Sequence, residues 1–95
     1  MVVGMGCITF RIHECRSLKE KRKVVKAIVA RIGNQFNVSV AEVDENDVYQ
    51  RAVIGVSMVG NDRRLVNAKL DKLFNFAEAL GLADMIDAQL EIISF

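Results

Sequence analysis

The chain has 95 residues, of which 52% are hydrophobic and 26% charged, and its formal net charge is +1 at pH 7. A chain of this length and composition builds one core, so we predict a single domain over residues 1–95 and exclude a disordered or low-complexity protein. The 2 cysteines are too few for a disulfide framework and favour a reducing, cytoplasmic compartment, and the apolar start is too short to span a membrane.

The first part of the chain predicts a strand followed by a helix. Val2–His13 alternates between apolar and polar residues, which is typical of a half-buried strand. Ser17, followed three residues later by Glu20, is a capping box before a stripe of apolar residues with helical spacing. This pattern predicts a helix over residues 18–32, and Gly33 is the residue type at which helices commonly end.

The remaining chain predicts a hairpin, a second helix and a last strand. Phe36–Val43 and Tyr49–Val59 both alternate and are separated by a short polar turn. Asp62 is a helix cap, and the apolar spacing after it predicts a helix near residues 62–80. Ile86–Phe95 is the final strand, and its residues predicted to face the core are Ile86, Ala88, Leu90 and Ile92.

The element order β-α-β-β-α-β predicts the fold class. Two right-handed crossovers around a central hairpin produce an α+β, ferredoxin-like sandwich, with a four-stranded antiparallel sheet of order 4-1-3-2 and two helices on one face. The other face of the sheet then stays open. The residues predicted to lie on it are Arg11, His13, Arg51, Val53, Ser57, Gln89, Glu91 and Ile93. We expect Arg11 and Arg51 to pair with Glu91 or Glu42.

Three segments together resemble a known family. They are Arg16–Arg22 (RSLKEKR), Phe36–Asp44 (FNVSVAEVD) and Gln50–Val56 (QRAVIGV), the last followed by Asn61 and Asp62. The chain is similar in these segments to the YlxP-like family of small bacterial proteins of unknown function. The resemblance implies a ferredoxin-like fold and genes found near those of ribosome-maturation and translation-initiation factors. It implies no catalytic activity.

Charge is concentrated in one segment of the chain. Residues 11–31 contain 8 Lys and Arg against 2 Glu, so the other residues carry a negative balance. Lys19, Arg22, Lys23 and Lys26 recur at i, i+3, i+4 and i+7, and they form one row on the first helix, which we call the basic ridge. Such a row, with Arg16 just before the cap, binds phosphate backbones through charge. A merely solvated helix face and a site for small anions are the alternatives.

Other candidate groups predict structure rather than chemistry. Lys21 falls inside the apolar stripe, where it either extends along the surface to water or pairs with an acid such as Glu42 or Asp44. The spacing of Cys7, His13 and Cys15 matches no zinc pattern and no nucleophile–base arrangement. We therefore expect no metal, no cofactor and no enzymatic activity.

The open face predicts self-association. Apolar Val53 and Ile93 lie on it, and the last strand ends at Phe95, so we predict an oligomer interface there, most simply a dimer. The stacking aromatic residues that RNA-recognition modules place on this face are missing. We expect a non-enzymatic cytosolic protein that docks on structured RNA, the ribosome or an assembly intermediate through the basic ridge. The alternative is a homo-oligomeric regulatory module that binds a ligand or protein at the open face.

Overall fold

A computed structural model describes residues 1–95. The elements are β1 (Val2–Arg11), α1 (Leu18–Gln35), β2 (Ser39–Asp44), β3 (Arg51–Gly60), α2 (Arg63–Ala79) and β4 (Asp84–Ser94). The strands form one antiparallel sheet of order β2-β3-β1-β4, which is the predicted order read from the opposite edge. The predicted ferredoxin-like α+β fold is confirmed.

The register of the sheet decides which side chains enter the core. β1 is a central strand, and its pairing with β3 runs from Val2 opposite Gly60 to Arg11 opposite Arg51. The even-numbered residues of β1 point at the helices, and their neighbours on β3 join them. The principal core residues contributed by the sheet and both helices are Ile8, Phe10, Ala52, Ile54, Ile28, Ile32, Leu70 and Leu73. One continuous core therefore lies between the sheet and the helix layer.

Small residues on β1 bring α2 close to the sheet. A Cβ atom on Gly6 would lie 2.9 Å from the ring of Phe74. Gly4 has the same role beneath Val66 and Leu70. Because these two positions carry no side chain, the apolar side chains of α2 rest directly on the central strand.

The end of α1 differs from the prediction. The helix does not stop at Gly33 but continues to Gln35, and the N–H of Phe36 donates to the carbonyl of Ile32 at 2.9 Å. Phe36 packs edge-on against Phe76 of α2, with ring centroids 5.5 Å apart. The helix therefore ends at Phe36, which contacts α2, and Gly33 lies inside the helix without a left-handed conformation. Gly81, at φ +68°, follows the end of the second helix in the left-handed conformation.

The start of β4 also differs from the prediction. Thr9 pairs with Asp87 but Phe10 pairs with Met85, so Ile86 is an extra residue in a β-bulge. The bulge turns Met85 toward the core and leaves Ile86 exposed. Ile92 contacts the core as expected, whereas Ala88 and Leu90 are exposed at the sheet edge.

Candidate nucleic-acid interface

The first turn of α1 is built by two capping contacts. The hydroxyl of Ser17 accepts a hydrogen bond from the N–H of Glu20 at 3.1 Å, as the capping box predicts. The carboxylate of Glu20 accepts in return from the N–H of Arg16 at 2.7 Å, one residue earlier than in the standard box. Arg16 is thereby held at the junction of loop and helix, with its side chain exposed.

The basic ridge lies on the solvent side of α1. Lys19, Arg22, Lys23 and Lys26 are all exposed, while the buried residues of the helix are Lys21, Val25, Ile28 and Ile32 on its other side. No acidic group lies within 4.0 Å of any ridge cation or of Arg16, and the three ion pairs of the molecule join other residues. The five cations predicted as a binding surface are thus gathered at one end of one helix, all of them available to a partner.

The remaining lysine of this segment has a different environment. Lys21 is only 1% exposed, and its Nζ lies 2.9 Å from a carboxylate oxygen of Glu42 on β2. The Nζ also donates to the backbone carbonyl of Glu45. The prediction that Lys21 extends along the surface to water is therefore wrong, and the predicted ion pair with Glu42 is confirmed.

The arginines at the end of the open face do not pair as predicted. Arg51 Nε lies 2.9 Å from a carboxylate oxygen of Glu45, and Arg11 has no acid within 4.0 Å. Pairing with Glu42 or Glu91 is wrong for a geometric reason. Glu42 is opposite Ile54 and so faces the helix layer, while Glu91 is opposite Met5, three rows of the sheet away from Arg11.

The electrostatics of the ridge include a local repulsion. Four cations occupy the N-terminal half of α1, and one of them, Lys19, lies in the first turn, where the helix dipole is positive and repels cations. Of the two acids nearest the ridge in sequence, Glu20 is used as a cap and Glu14 lies before the helix in the preceding loop. A surface held in this state offers several unneutralised cations to an external anion.

The candidate metal and nucleophile residues lie apart from one another. Cys7 is exposed on the open face, whereas Cys15 is buried on the other side and its thiol donates to the carbonyl of Ser17 at 3.4 Å. His13 lies beyond the end of β1, where it is bonded to Asp84. No three His, Cys, Asp or Glu side chains converge on one point.

The open face is more apolar than the sequence alone indicated. Ile93 and Phe95 are exposed, at 42% and 90%, and Val53 is half-buried. Val59, 67% exposed, and Val3 also lie on this face, and neither was predicted as an interface residue. The alternation of β1 and β3 contains the signal, because every second residue of each strand must point away from the helices.

The fold and this surface define a class: a small ferredoxin-like α+β protein with a basic helix on one side and a bare sheet on the other. Residues 3–90 match the family described as "Protein of unknown function (DUF503)", and the chain belongs to this family. It is 37% identical over 78 residues to the uncharacterized protein YlxP of Bacillus subtilis (strain 168), covering 82% of this chain and 85% of that protein. The predicted resemblance to YlxP-like proteins is confirmed.

Solved structures with a similar arrangement are distant. A mutant form of SnoaB, a cofactor-independent oxygenase from Streptomyces nogalater, is 14% identical with a TM-score of 0.49, covering 98% of this chain and 92% of that one. A NIPSNAP family protein from Agrobacterium tumefaciens is 17% identical with a TM-score of 0.42, covering 99% of this chain and 92% of that one.

Neither helix of the chain has the length and apolar character needed to cross a membrane.

Proposed function

We propose that this protein is a non-enzymatic cytosolic binding protein that docks on structured RNA through the basic ridge. The observation that carries the proposal is the set of exposed ridge cations with no acidic partner within 4.0 Å. Ribosomal RNA, in the ribosome or an assembly intermediate, is the target that the resemblance to YlxP-like proteins favours.

The spacing of the ridge supports contact with a phosphate backbone. Lys19, Lys23 and Lys26 recur along one helix side, and residues three or four apart on a helix are about 5–6 Å from each other. Successive phosphates of one strand are separated by a comparable distance, so neighbouring cations meet neighbouring phosphates. Contacts of this kind position a protein on RNA without reading its sequence.

The shape of the molecule supports docking from one side. Arg16 extends the ridge before the start of α1. Beyond Lys26, at the other end of the ridge, the exposed residues on the same side of α1 are the small Ala30 and Gly33. A groove of an RNA helix can approach such a surface closely along its whole length. The open face lacks aromatic residues in its central rows, so base stacking there is not part of the proposal.

The test is the position of the protein in a ribosome profile. A cell lysate from the native host is separated on a sucrose gradient and probed for the protein, beside a strain that produces the fourfold Ala variant of the ridge (Lys19, Arg22, Lys23 and Lys26). The proposal expects the native protein to migrate with a ribosomal particle and the variant to stay at the top. Native protein found only at the top of the gradient would contradict docking on the ribosome.

The second candidate function, a homo-oligomeric module that binds a ligand or protein, draws its support from the open face alone. That face carries two shallow depressions beside Met5 and Cys7, the larger of about 300 Å³. Both are open to solvent, and neither contains a convergent set of polar groups of the kind that orients a small ligand. The ridge therefore supports the leading proposal better than the depressions support this one.

A further inference from the structure

The outer side of β4 is a free strand edge. β4 is the last strand of the sheet and pairs only with β1. Phe95 and Met1 exchange both of their backbone hydrogen bonds, so the odd-numbered residues of β4 after the bulge turn their N–H and C=O groups toward β1. The N–H and C=O groups of Ala88 and Leu90 therefore point outward, and no group of the molecule bonds to them.

The free part of this edge is limited at both ends. Arg63 of α2 donates to the carbonyl of Ile92 at 3.2 Å and to the hydroxyl of Ser94 at 3.1 Å, so the edge is covered there. At the other end, the bulge at Ile86 interrupts the alternation of the strand. The part that remains free, residues 87–91, is exposed throughout and has the length of a short strand. We call it the β4 edge.

The β4 edge is acidic. Asp87 and Glu91 lie on the open face, and neither has a cation within 4.0 Å. Residues 73–95 contain 4 Asp and Glu but no Lys, Arg or His, so the surrounding chain supplies no cation either. The strand therefore presents unneutralised carboxylates beside unpaired backbone groups.

The other face of the β4 edge is apolar. Ala88 and Leu90 point to the helix side of the sheet, yet both are exposed, and Leu90 retains 40% of its accessible surface. Leu90 is directly opposite Gly6, over which the ring of Phe74 lies. Since an added strand alternates in the same way, its side chains on one face would lie beside the two carboxylates and those on the other face beside this apolar ledge.

A second copy of β4 does not fit this edge. The antiparallel register that bonds Ala88 of one copy to Leu90 of the other also places Asp87 opposite Glu91, and does so twice. Like charges directly opposite each other destabilise a pair of strands. The carboxylates thus act against self-pairing and favour a strand that carries cations at the same positions.

We propose that the β4 edge binds an extended basic segment of another protein, which joins the sheet as a fifth strand. The segment has Lys or Arg at every second position and apolar residues between them. Backbone hydrogen bonds to Ala88 and Leu90 provide affinity, and the alternation of side chains provides specificity. This goes beyond the proposed function, because the basic ridge lies on α1, which packs toward β2 at the opposite edge of the sheet.

The first test measures the binding of fluorescent peptides to the whole chain by anisotropy. The probe is an acetylated and amidated octapeptide in which Lys and Val alternate. One control has the same composition with Lys and Val grouped in pairs, and the other alternates Glu with Val. We expect the probe to bind at least about tenfold more tightly than either control. Absence of binding, or equal binding of the two Lys peptides, overturns the proposal.

The second test removes charge from the chain. Asp87→Asn/Glu91→Gln neutralises the β4 edge, and Glu14→Gln/Asp47→Asn removes the same charge from exposed positions that form no ion pair. We expect the edge variant to bind the alternating Lys peptide about fivefold more weakly or less tightly still, and the control variant to stay within about twofold of the native chain. Equal affinities of the two variants would contradict the proposed site.

Hydrogen exchange tests strand addition independently of charge. The N–H groups of Ala88 and Leu90 have no acceptor in the free chain, whereas that of Gln89 faces β1. Saturation with the alternating Lys peptide is expected to slow exchange at Ala88 and Leu90 at least about tenfold, with little change at Gln89. Binding without this protection overturns strand addition. Protection in concentrated protein without peptide would show a second copy at the β4 edge and overturn the choice of partner.

Discussion

Ser17 and Lys21 show how closely structural and functional side chains alternate at the start of α1. Ser17 satisfies the N–H of Glu20, and Lys21 turns inward to Glu42, while the intervening Lys19 and the following Arg22 point to solvent. The segment therefore contains cations of two kinds. Those on the ridge are free to bind, and Lys21 attaches the helix to the β2–β3 hairpin.

Replacement of Ser17 tests the cap. Ser17→Ala is expected to lower the free energy of unfolding by about 1 kcal/mol, because an N-terminal N–H loses its acceptor, whereas Ser17→Gly should cost only a few tenths. Ser39→Ala, at an exposed strand position, is the control and should stay within about 0.5 kcal/mol. Urea unfolding measures all three. Equal stability of Ser17→Ala and native protein would mean that the cap contributes nothing.

Replacement of Lys21 tests the buried ion pair. Lys21→Met leaves Glu42 facing an apolar environment and removes the donor to the Glu45 carbonyl, so we expect a loss of about 3 kcal/mol in stability. The double variant Lys21→Met/Glu42→Leu removes both charges and should recover most of that loss. Urea unfolding measures the free energy of unfolding of both variants. A double variant no more stable than Lys21→Met would contradict a specific ion pair between Lys21 and Glu42.

At the scale of elements, periodicity and capping were sufficient to predict the fold. Each strand has its alternation and each helix its cap, so the order of elements leaves one compact antiparallel arrangement. The details that were mispredicted depend on distant contacts. The helix α1 continues beyond Gly33, and Phe36 just after it packs against Phe76 of α2. The side chain of Ile86 is exposed because β4 has a bulge between its pairings with Thr9 and Phe10.

The candidate site was predictable to the same extent. The ridge follows from spacing along a single helix, so it could be located from local sequence. The partners of Lys21 and Arg51 depend on how the hairpin packs against α1, which brings Glu42 to Lys21, and on the positive φ of Glu45 in the turn. The alternation of β2 places Glu42 on the same face as Val40, so its pair with Lys21 was among the alternatives, whereas the conformation of Glu45 leaves no local pattern and its pair with Arg51 was missed.

The continuation of α1 through Gly33 can be tested by substitution of this residue. Gly33 is exposed inside a helix, and a Cβ there would only reach Val40 at an ordinary contact distance of 3.7 Å. Gly33→Ala should therefore stabilise the protein by about 0.5–1 kcal/mol, because alanine loses less backbone entropy in a helix. A helix that ended at Gly33 in a left-handed conformation would be destabilised by the same change, so a fall in the thermal midpoint contradicts the structure.

At the scale of the whole molecule, two surfaces lie on opposite sides of one core. The basic ridge lies outside the helix layer, and the open face lies behind the sheet. Because the surfaces share no side chain, their substitutions should act additively. Val59→Glu, on the open face, is expected to abolish any self-association through that face while the affinity of the chain for RNA, measured by filter binding, changes by less than about threefold. A large loss of affinity would show that the surfaces are coupled.

Contact between the basic ridge and phosphates is measured most directly by the salt dependence of RNA binding. Two threefold Ala variants remove equal charge, one from the ridge (Arg22, Lys23 and Lys26) and one from exposed cations of α2 (Arg64, Lys69 and Lys72). Co-sedimentation with ribosomal subunits across a salt series yields the slope of log K against log salt concentration. We predict that the ridge variant binds more weakly with a slope shallower by about two to three units, whereas the α2 variant keeps the native slope. Equal slopes and affinities for the ridge variant and the native protein would contradict the account.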